Sequence, residues 1–142
     1  MILFHSETSF KITSKREYKR WITELVLSKG KKIGDIHYLF CDDEYLLNIN
    51  QKFLQHDTYT DIITFDYSKE GVISGDILIS IERVKENAET FKRPFEEELL
   101  RVLSHGILHL IGYKDKTEKE KKEMREEEEK AILLFILSSY NS

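Results

Sequence analysis

Two histidines and an aspartate in the second half of the chain have the types and spacing of metal ligands. His105 and His109 are four residues apart, and Asp115 follows His109 by six. On an α-helix, residues four apart lie one turn above one another on the same face, so both imidazoles can reach one ion. Gly112 can adopt the left-handed conformation that ends a helix, which would let the chain turn back and place Asp115 beside the histidines.

These three side chains would offer an ion two nitrogens and one carboxylate oxygen, with one coordination position left open. An open position is typical of catalytic zinc, because water held there loses a proton near neutral pH. The sequence therefore predicts one Zn²⁺ ion, with another divalent metal as the alternative. The competing interpretation is that the histidines are core residues with satisfied hydrogen bonds and that Asp115 is a solvated turn residue.

Zincin-type proteases share this outline but need a glutamate directly after the first histidine as general base. Gly106 occupies that position. A metallopeptidase would therefore need a carboxylate from elsewhere, such as Asp61 or Glu82.

The elements that must position these ligands follow from hydrophobic periodicity and turn signals. Strands are predicted at 2–5, 33–41, 61–66 and 76–81, with a turn containing Gly71 and Gly75 between the last two, and helices at about 13–28, 42–53, 82–91, 95–111 and 117–137. Residues 55–60 are predicted as a polar loop. This order indicates a single α+β domain over residues 1–142, with α/β-like alternation. A mixed sheet of about four strands would pack against about five helices, one of them a zincin-like metal helix.

Composition excludes several classes of protein. The chain of 142 residues is 40% hydrophobic and 11% aromatic, enough to build a core, and its single cysteine, Cys41, rules out an internal disulfide and a Cys-rich zinc site. The longest apolar run, residues 131–137, is too short to span a membrane. The first residues lack the pattern of a secretory signal, so a cytoplasmic location is expected.

Charge limits how the protein can bind nucleic acid. The formal net charge is −4, and neither the body nor the C-terminal segment is basic. Contacts to phosphate would therefore rest on a local patch or on a bound cation. Residues 118–130 contain twelve charged residues and Met124. This pattern predicts a solvated helix that contributes nothing to a site, followed by an apolar segment that docks on the core.

Four segments resemble, in chain order, the motifs of the YbeY family of metal-dependent single-strand endoribonucleases, and the resemblance covers most of the chain. Leu47-Asn48 with Phe53 resembles L-N-x-x-[YF]-R, residues 60–65 (TDIITF) resemble the end of P-T-D-V-L-S-F, residues 75–80 (GDILIS) resemble G-D-I-x-I-S, and residues 105–115 (HGILHLIGYKD) resemble H-G-x-L-H-L-x-G-Y-D-H. Four motifs in the family's order are more specific than any one of them.

The resemblance implies an endoribonuclease that cleaves single-stranded RNA with a metal held by His105, His109 and Asp115. It also implies a role in 3′-end maturation of small-subunit (16S) rRNA and in ribosome quality control, with the ribosome or ribosomal proteins as partners. Asp115 stands where the family has its third histidine. A carboxylate is an accepted zinc ligand, but its charge makes bound water less acidic and favours harder ions.

Other departures concern RNA binding. Leu54 stands where the family has an arginine that helps to bind RNA, and Tyr59 replaces a proline. The cations that would substitute for the arginine are Lys52, Arg83, Arg101 and Lys114. A ribosome-assembly or RNA-binding factor with a mainly structural metal therefore stays as the alternative. The pairs Thr60-Asp61 and Gly75-Asp76 either shape the cleft or are turn residues at the starts of strands.

Overall fold

Strands and helices share the first 80 residues of the chain, and helices alone follow. The computed structural model describes residues 1–54 and 60–140, the side chains of 139 and 140 excepted. Its elements are β1 (Ile2–Ser6), α1 (Lys15–Ser28), β2 (Lys32–Cys41), α2 (Asp43–Leu54), β3 (Ile62–Asp66), β4 (Val72–Ser80), α3 (Ile81–Thr90), α4 (Phe95–Ile111) and α5 (Glu118–Tyr140). The predicted α+β class is confirmed. The predicted loop at 55–60, and Tyr59 with it, lies outside the described residues except for Thr60.

The sheet has the order β1-β2-β4-β3. β1, β2 and β4 are parallel, whereas β3 runs antiparallel to β4 at the edge. Alternate residues of each strand point to opposite faces. On β2 the buried residues Ile36, Tyr38 and Phe40 belong to the core that α1, α4 and α5 cover, while Leu39 packs with the smaller cluster under α2.

Two buried hydrogen bonds tie the helices of the larger core together. The Trp21 indole donates to the carbonyl of Ala131 at 2.8 Å, which joins α1 to α5. The Tyr38 hydroxyl donates to the carbonyl of Leu103 at 2.9 Å, which joins β2 to α4. α4 is thereby fixed against the sheet along the segment that carries both histidines.

Gly106 lets α4 approach the sheet closely. A Cβ added at this residue would lie 2.8 Å from the Ile77 side chain of β4, closer than packed carbon atoms come. The position at which a zincin-type protease carries its glutamate therefore faces the core here. Packing accounts for the glycine.

Two predicted boundaries are wrong around β4. The strand begins at Val72 instead of 76, and Ile81 belongs to α3. Gly75 lies within the strand, not in the turn. The residue is glycine because a Cβ there would be 2.5 Å from the Phe65 carbonyl of β3. Asp76 is therefore a mid-strand residue, so the interpretation of Gly75-Asp76 as a turn at a strand start is also wrong.

α5 is longer than predicted and begins as predicted. The backbone N–H of Glu120 donates to the Thr117 hydroxyl at 3.1 Å, and that of Thr117 donates to the Glu120 carboxylate at 2.9 Å. This is the reciprocal arrangement of a capping box. Within the described residues, none of the helices is both long and apolar enough to cross a lipid bilayer.

Candidate metal centre

The end of α4 brings the predicted ligands together. His105 and His109 occupy the last two turns, and Gly112, with φ of +127°, ends the helix. The N–H of Tyr113 then donates to the Leu108 carbonyl at 3.0 Å, so the chain folds back over the last turn. This reversal places Asp115 beside both imidazoles, as the spacing predicts.

The distances among the three side chains suit one ion. Asp115 Oδ2 lies 3.3 Å from His105 Nε2 and 3.2 Å from His109 Nε2, and the three donor atoms all lie within 4.8 Å of one another. Two ligands each about 2.0–2.1 Å from a tetrahedral zinc are roughly 3.3 Å apart. The two nitrogens and the carboxylate oxygen therefore fit a divalent ion, and together they could bind one.

The group is accessible from one side. The side chains of His105, His109 and Asp115 are 14%, 28% and 38% exposed. The exposed fraction rises from His105 to Asp115, so a further oxygen ligand could reach the group from the side of Asp115. A closed structural site would not allow this.

A fourth residue, Glu128 of α5, completes the surroundings of His105. Its Oε2 lies 2.5 Å from His105 Nδ1, the nitrogen that faces away from Asp115. A histidine that ligates a metal commonly donates its other N–H to a carboxylate in this way. The prediction that residues 118–130 contribute nothing to a site is therefore wrong. Glu128 lies four residues after buried Met124 and four before buried Ile132, and this helical spacing was the signal for a buried glutamate.

Beneath the histidines, Arg101 is surrounded by carboxylates. Its Nε donates to both oxygens of Glu98 at 2.8 and 2.9 Å, and its terminal nitrogens lie 3.5 Å from Glu128 and 3.6 Å from Asp61. Burial lowers the pKa of the guanidinium, but the hydrogen bonds to Glu98 and the neighbouring charges outweigh burial and raise it. Arg101, one of the candidate phosphate ligands, is thus already engaged with three carboxylates.

Comparison with known proteins identifies relatives over nearly the whole chain. The family model described as endoribonuclease YbeY matches residues 3–135. An endoribonuclease YbeY of Flavobacterium psychrophilum is 53% identical over 95% of this chain and 96% of its own, and one of Christiangramia forsetii is 54% identical over 94% of each. The chain belongs to the endoribonuclease YbeY family.

The YbeY resemblance in the sequence is thereby confirmed, and with it the predicted class of enzyme, an endoribonuclease. A solved structure supports the fold as well. The solution structure of TM1509 from Thermotoga maritima is similar, with a TM-score of 0.70, 31% sequence identity, and coverage of 99% of this chain and 93% of that one.

Where the YbeY motif has arginine, Leu54 ends α2 with 40% of its side chain exposed. The cations considered as substitutes lie in different places. Lys52 lies 5.5 Å from the ring of Phe53, and Arg83 pairs with Asp43 at 3.1 Å. Lys114 is exposed and adjacent to Asp115 in the chain.

Two further cations, which the sequence analysis did not single out, lie at the candidate metal centre. Lys121 and Arg125 line the same shallow cleft, of about 200 Å³, as His105 and Asp115. Both are exposed and come from the first turns of α5. Their position depends on how α5 packs against α4, which residue spacing alone did not show.

The two carboxylates considered for peptidase chemistry are separated. Asp61 contacts Arg101 below the metal centre. Glu82 accepts a hydrogen bond from the Asp43 N–H at 2.9 Å and lines another cleft, with Glu7 and Asp42. Thr60-Asp61 therefore contributes its aspartate to the surroundings of the candidate metal centre, in addition to preceding β3.

Proposed function

We propose that this chain cleaves single-stranded RNA at one zinc ion held by His105, His109 and Asp115. The observation that carries the proposal is the convergence of the three donor atoms at the end of α4, in a chain of the endoribonuclease YbeY family. A bound ion would supply Lewis acidity, which lowers the pKa of water and stabilises charge that develops on a phosphate.

The charge around the centre supports a requirement for a cation. Three carboxylates, those of Asp61, Glu98 and Glu128, surround the guanidinium of Arg101, and a fourth, Asp115, lies beside His105. With neutral histidines this cluster has a formal charge of −3, which repels an RNA phosphate. A divalent ion between His105 and Asp115 would remove most of that repulsion.

The rim of the cleft supplies the groups that would hold the RNA backbone. Lys121 and Arg125 line the cleft, and Lys114 is exposed beside Asp115. Cations here contact phosphates on either side of the scissile bond without entering the acidic interior. Together with Lys52 they take over the function of the arginine that Leu54 replaces, whereas Arg101 neutralises carboxylates.

The proposed biological role follows the family resemblance. The substrate is small-subunit (16S) rRNA, cleaved during 3′-end maturation and ribosome quality control, in the cytoplasm and in contact with the ribosome or ribosomal proteins. The support for this role is the match to relatives over nearly their full length.

The test is cleavage of a fluorescently labelled single-stranded oligoribonucleotide. Wild type is expected to cleave it. The rate for His109→Ala should be at least about 100-fold lower, because removal of a metal ligand should reduce activity no less than removal of a residue that only hydrogen-bonds to a ligand. His37→Ala is the matched control, since His37 lies on β2 away from the centre. Equal cleavage by wild type and His109→Ala would indicate a contaminating nuclease and overturn the proposal.

An RNA-binding assembly factor with a structural metal is the second candidate, and Leu54 in place of the family's arginine favours it. The two candidates differ in the effect of a chelator. Removal of a structural ion should unfold the domain. Removal of an ion from an open catalytic site should abolish cleavage with only a modest fall in melting temperature. The 38% exposure of Asp115 supports the second outcome and hence the enzyme.

A further inference from the structure

The side chain of Glu128 has a position that the proposed ligand set does not use. We infer that Glu128 is a positioning residue: its carboxylate fixes the His105 ring with Nε2 toward Asp115 and so sets the affinity of the centre for a divalent metal. The inference rests on the proposed metal site and extends it to a residue on another helix.

The two nitrogens of His105 have different partners. Nε2 lies 3.3 Å from Asp115 Oδ2, and Nδ1 lies 2.5 Å from Glu128 Oε2. A neutral imidazole has one N–H donor and one lone pair. The contact of Nδ1 with Glu128 has hydrogen-bond geometry, whereas that of Nε2 with Asp115 is only a short charge-to-ring distance. Because the Glu128 carboxylate only accepts, Nδ1 is the donor in this hydrogen bond. The lone pair of Nε2 is then free to bind an ion beside Asp115, which is the tautomer that a zinc ligand needs.

Arg101 holds the other oxygen of the Glu128 carboxylate. Its Nη1 lies 3.5 Å from Glu128 Oε1. Arg101 and His105 are one helical turn apart on α4 and therefore contact the same carboxylate from one side. With the side chain only 5% exposed, Glu128 has both oxygens engaged and little freedom to rotate. A buried carboxylate is tolerated only with such partners.

The position of Glu128 depends on packing between two helices. Met124 and Ile132, one turn before and one turn after it on α5, are 2% and 4% exposed, and all three residues face α4. Met124 and Glu128 also line the same cleft as Arg101 and His105 of α4, so the contact of Glu128 with His105 depends on how α5 packs. Metal affinity should consequently respond to a residue that never touches the ion.

The experiment is a titration of metal-free protein with Zn²⁺ in competition with a chromophoric chelator. Glu128→Gln preserves the shape of the side chain but removes its charge, and we expect about a 10- to 100-fold loss of Zn²⁺ affinity. Glu127→Gln is the matched control, because the adjacent Glu127 pairs with Lys29 of the chain segment after α1. Its affinity should equal that of wild type.

A second measurement reports the ring directly and needs no variant. The ¹⁵N shifts of the imidazole in metal-free wild type report which ring nitrogens carry a proton, and we expect a proton on Nδ1 of His105. Should Glu128→Gln fail to fold, this measurement still tests the inference. An unprotonated Nδ1, or wild-type affinity in folded Glu128→Gln, would overturn the inference.

The results separate this inference from the proposed function. Zn²⁺ affinity that depends on Glu128, in a protein that does not cleave RNA, would overturn the function alone. If wild type cleaves RNA and Glu128→Gln binds Zn²⁺ as tightly as wild type, the inference alone would be overturned.

Discussion

Two pairs of histidines lie close together in this molecule, and they differ in how their nitrogens are arranged. His105 and His109 have rings inclined at 74°, with centroids 4.7 Å apart, and both direct Nε2 toward Asp115. His5 and His37, on β1 and β2, are nearly parallel at 7° and hydrogen-bond to each other at 3.2 Å. In the second pair, one nitrogen of each ring is already occupied by the other ring.

The surroundings of the two pairs differ as well. His5 and His37 line an open cavity of about 740 Å³ with Asp76 and Glu7, larger than the cleft at the metal centre. Yet among the described residues, the only three donors that converge within 4.8 Å are His105, His109 and Asp115. Histidines beside carboxylates are therefore not enough for a metal site. Convergence of lone pairs, fixed by further hydrogen bonds, makes the difference.

The largest effect should come from breaking each pair in turn. His105→Ala removes a ligand and its bond to Glu128, so Zn²⁺ affinity should fall by at least about 100-fold. His5→Ala removes a histidine of the other pair and should leave affinity unchanged. Isothermal titration with Zn²⁺ measures both. Similar losses in the two variants would mean that the pairs do not differ as their geometry indicates.

A smaller effect should come from the glycine that turns the chain toward Asp115. Gly112 has φ of +127° and Gly30, at the end of α1, has φ of +74°; a Cβ would meet no atom within 4 Å at either. Alanine should therefore act through backbone strain alone. At residue 30, near the left-handed region, it should cost about 1 kcal/mol of unfolding free energy, and at residue 112, whose φ lies beyond that region, it should cost more. Urea denaturation should show the larger loss for Gly112→Ala.

Only one of these glycines lies beside the proposed ligands. Gly112→Ala should also weaken Zn²⁺ binding, because strain at residue 112 is relieved by moving Asp115, whereas Gly30→Ala should bind as wild type does. Equal Zn²⁺ affinity in both variants would show that the turn at Gly112 does not position Asp115.

These differences show what the sequence could and could not predict. The proposed ligands lie within eleven residues of one helix and its turn, so helical periodicity and one glycine were sufficient to place His105, His109 and Asp115 together. Glu128 depends on the rotation of α5 against α4. Its segment is so rich in charge that the apolar spacing around Met124 is faint.

Gly75 and Arg101 were also interpreted incorrectly or incompletely, for a similar reason. Gly75 looks like a turn residue until the close approach of the Phe65 carbonyl is known. Arg101 looks like a free cation until three carboxylates from other turns and elements are brought to it. Local pattern specifies elements, whereas the partners of a charged side chain are set by tertiary packing.

The smallest effect concerns the glutamate next to Glu128. Burial would raise the pKa of Glu127, but its hydrogen bond and ion pair with Lys29 outweigh burial and lower the pKa below its ordinary value of 4.5. A lowered folded-state pKa stabilises the protein above the unfolded pKa, and this contribution disappears as pH falls through the folded value. Glu127→Gln should therefore cost about 0.5 kcal/mol at pH 7.

The pH dependence makes this test specific. The stability difference between wild type and Glu127→Gln, measured by thermal denaturation, should shrink as the pH falls from 5 toward about 3. A difference that stays constant over that interval would show that the Lys29 ion pair is not its source.

The central claim is that Asp115 and the two histidines of α4 hold one ion together. Elemental analysis of protein purified without a chelator tests it most directly, on wild type, Asp115→Ala and, as the control from the other histidine pair, Asp76→Ala. We predict one zinc per chain in wild type and in Asp76→Ala, and a large loss of zinc in Asp115→Ala. Equal zinc in wild type and Asp115→Ala would contradict the claim.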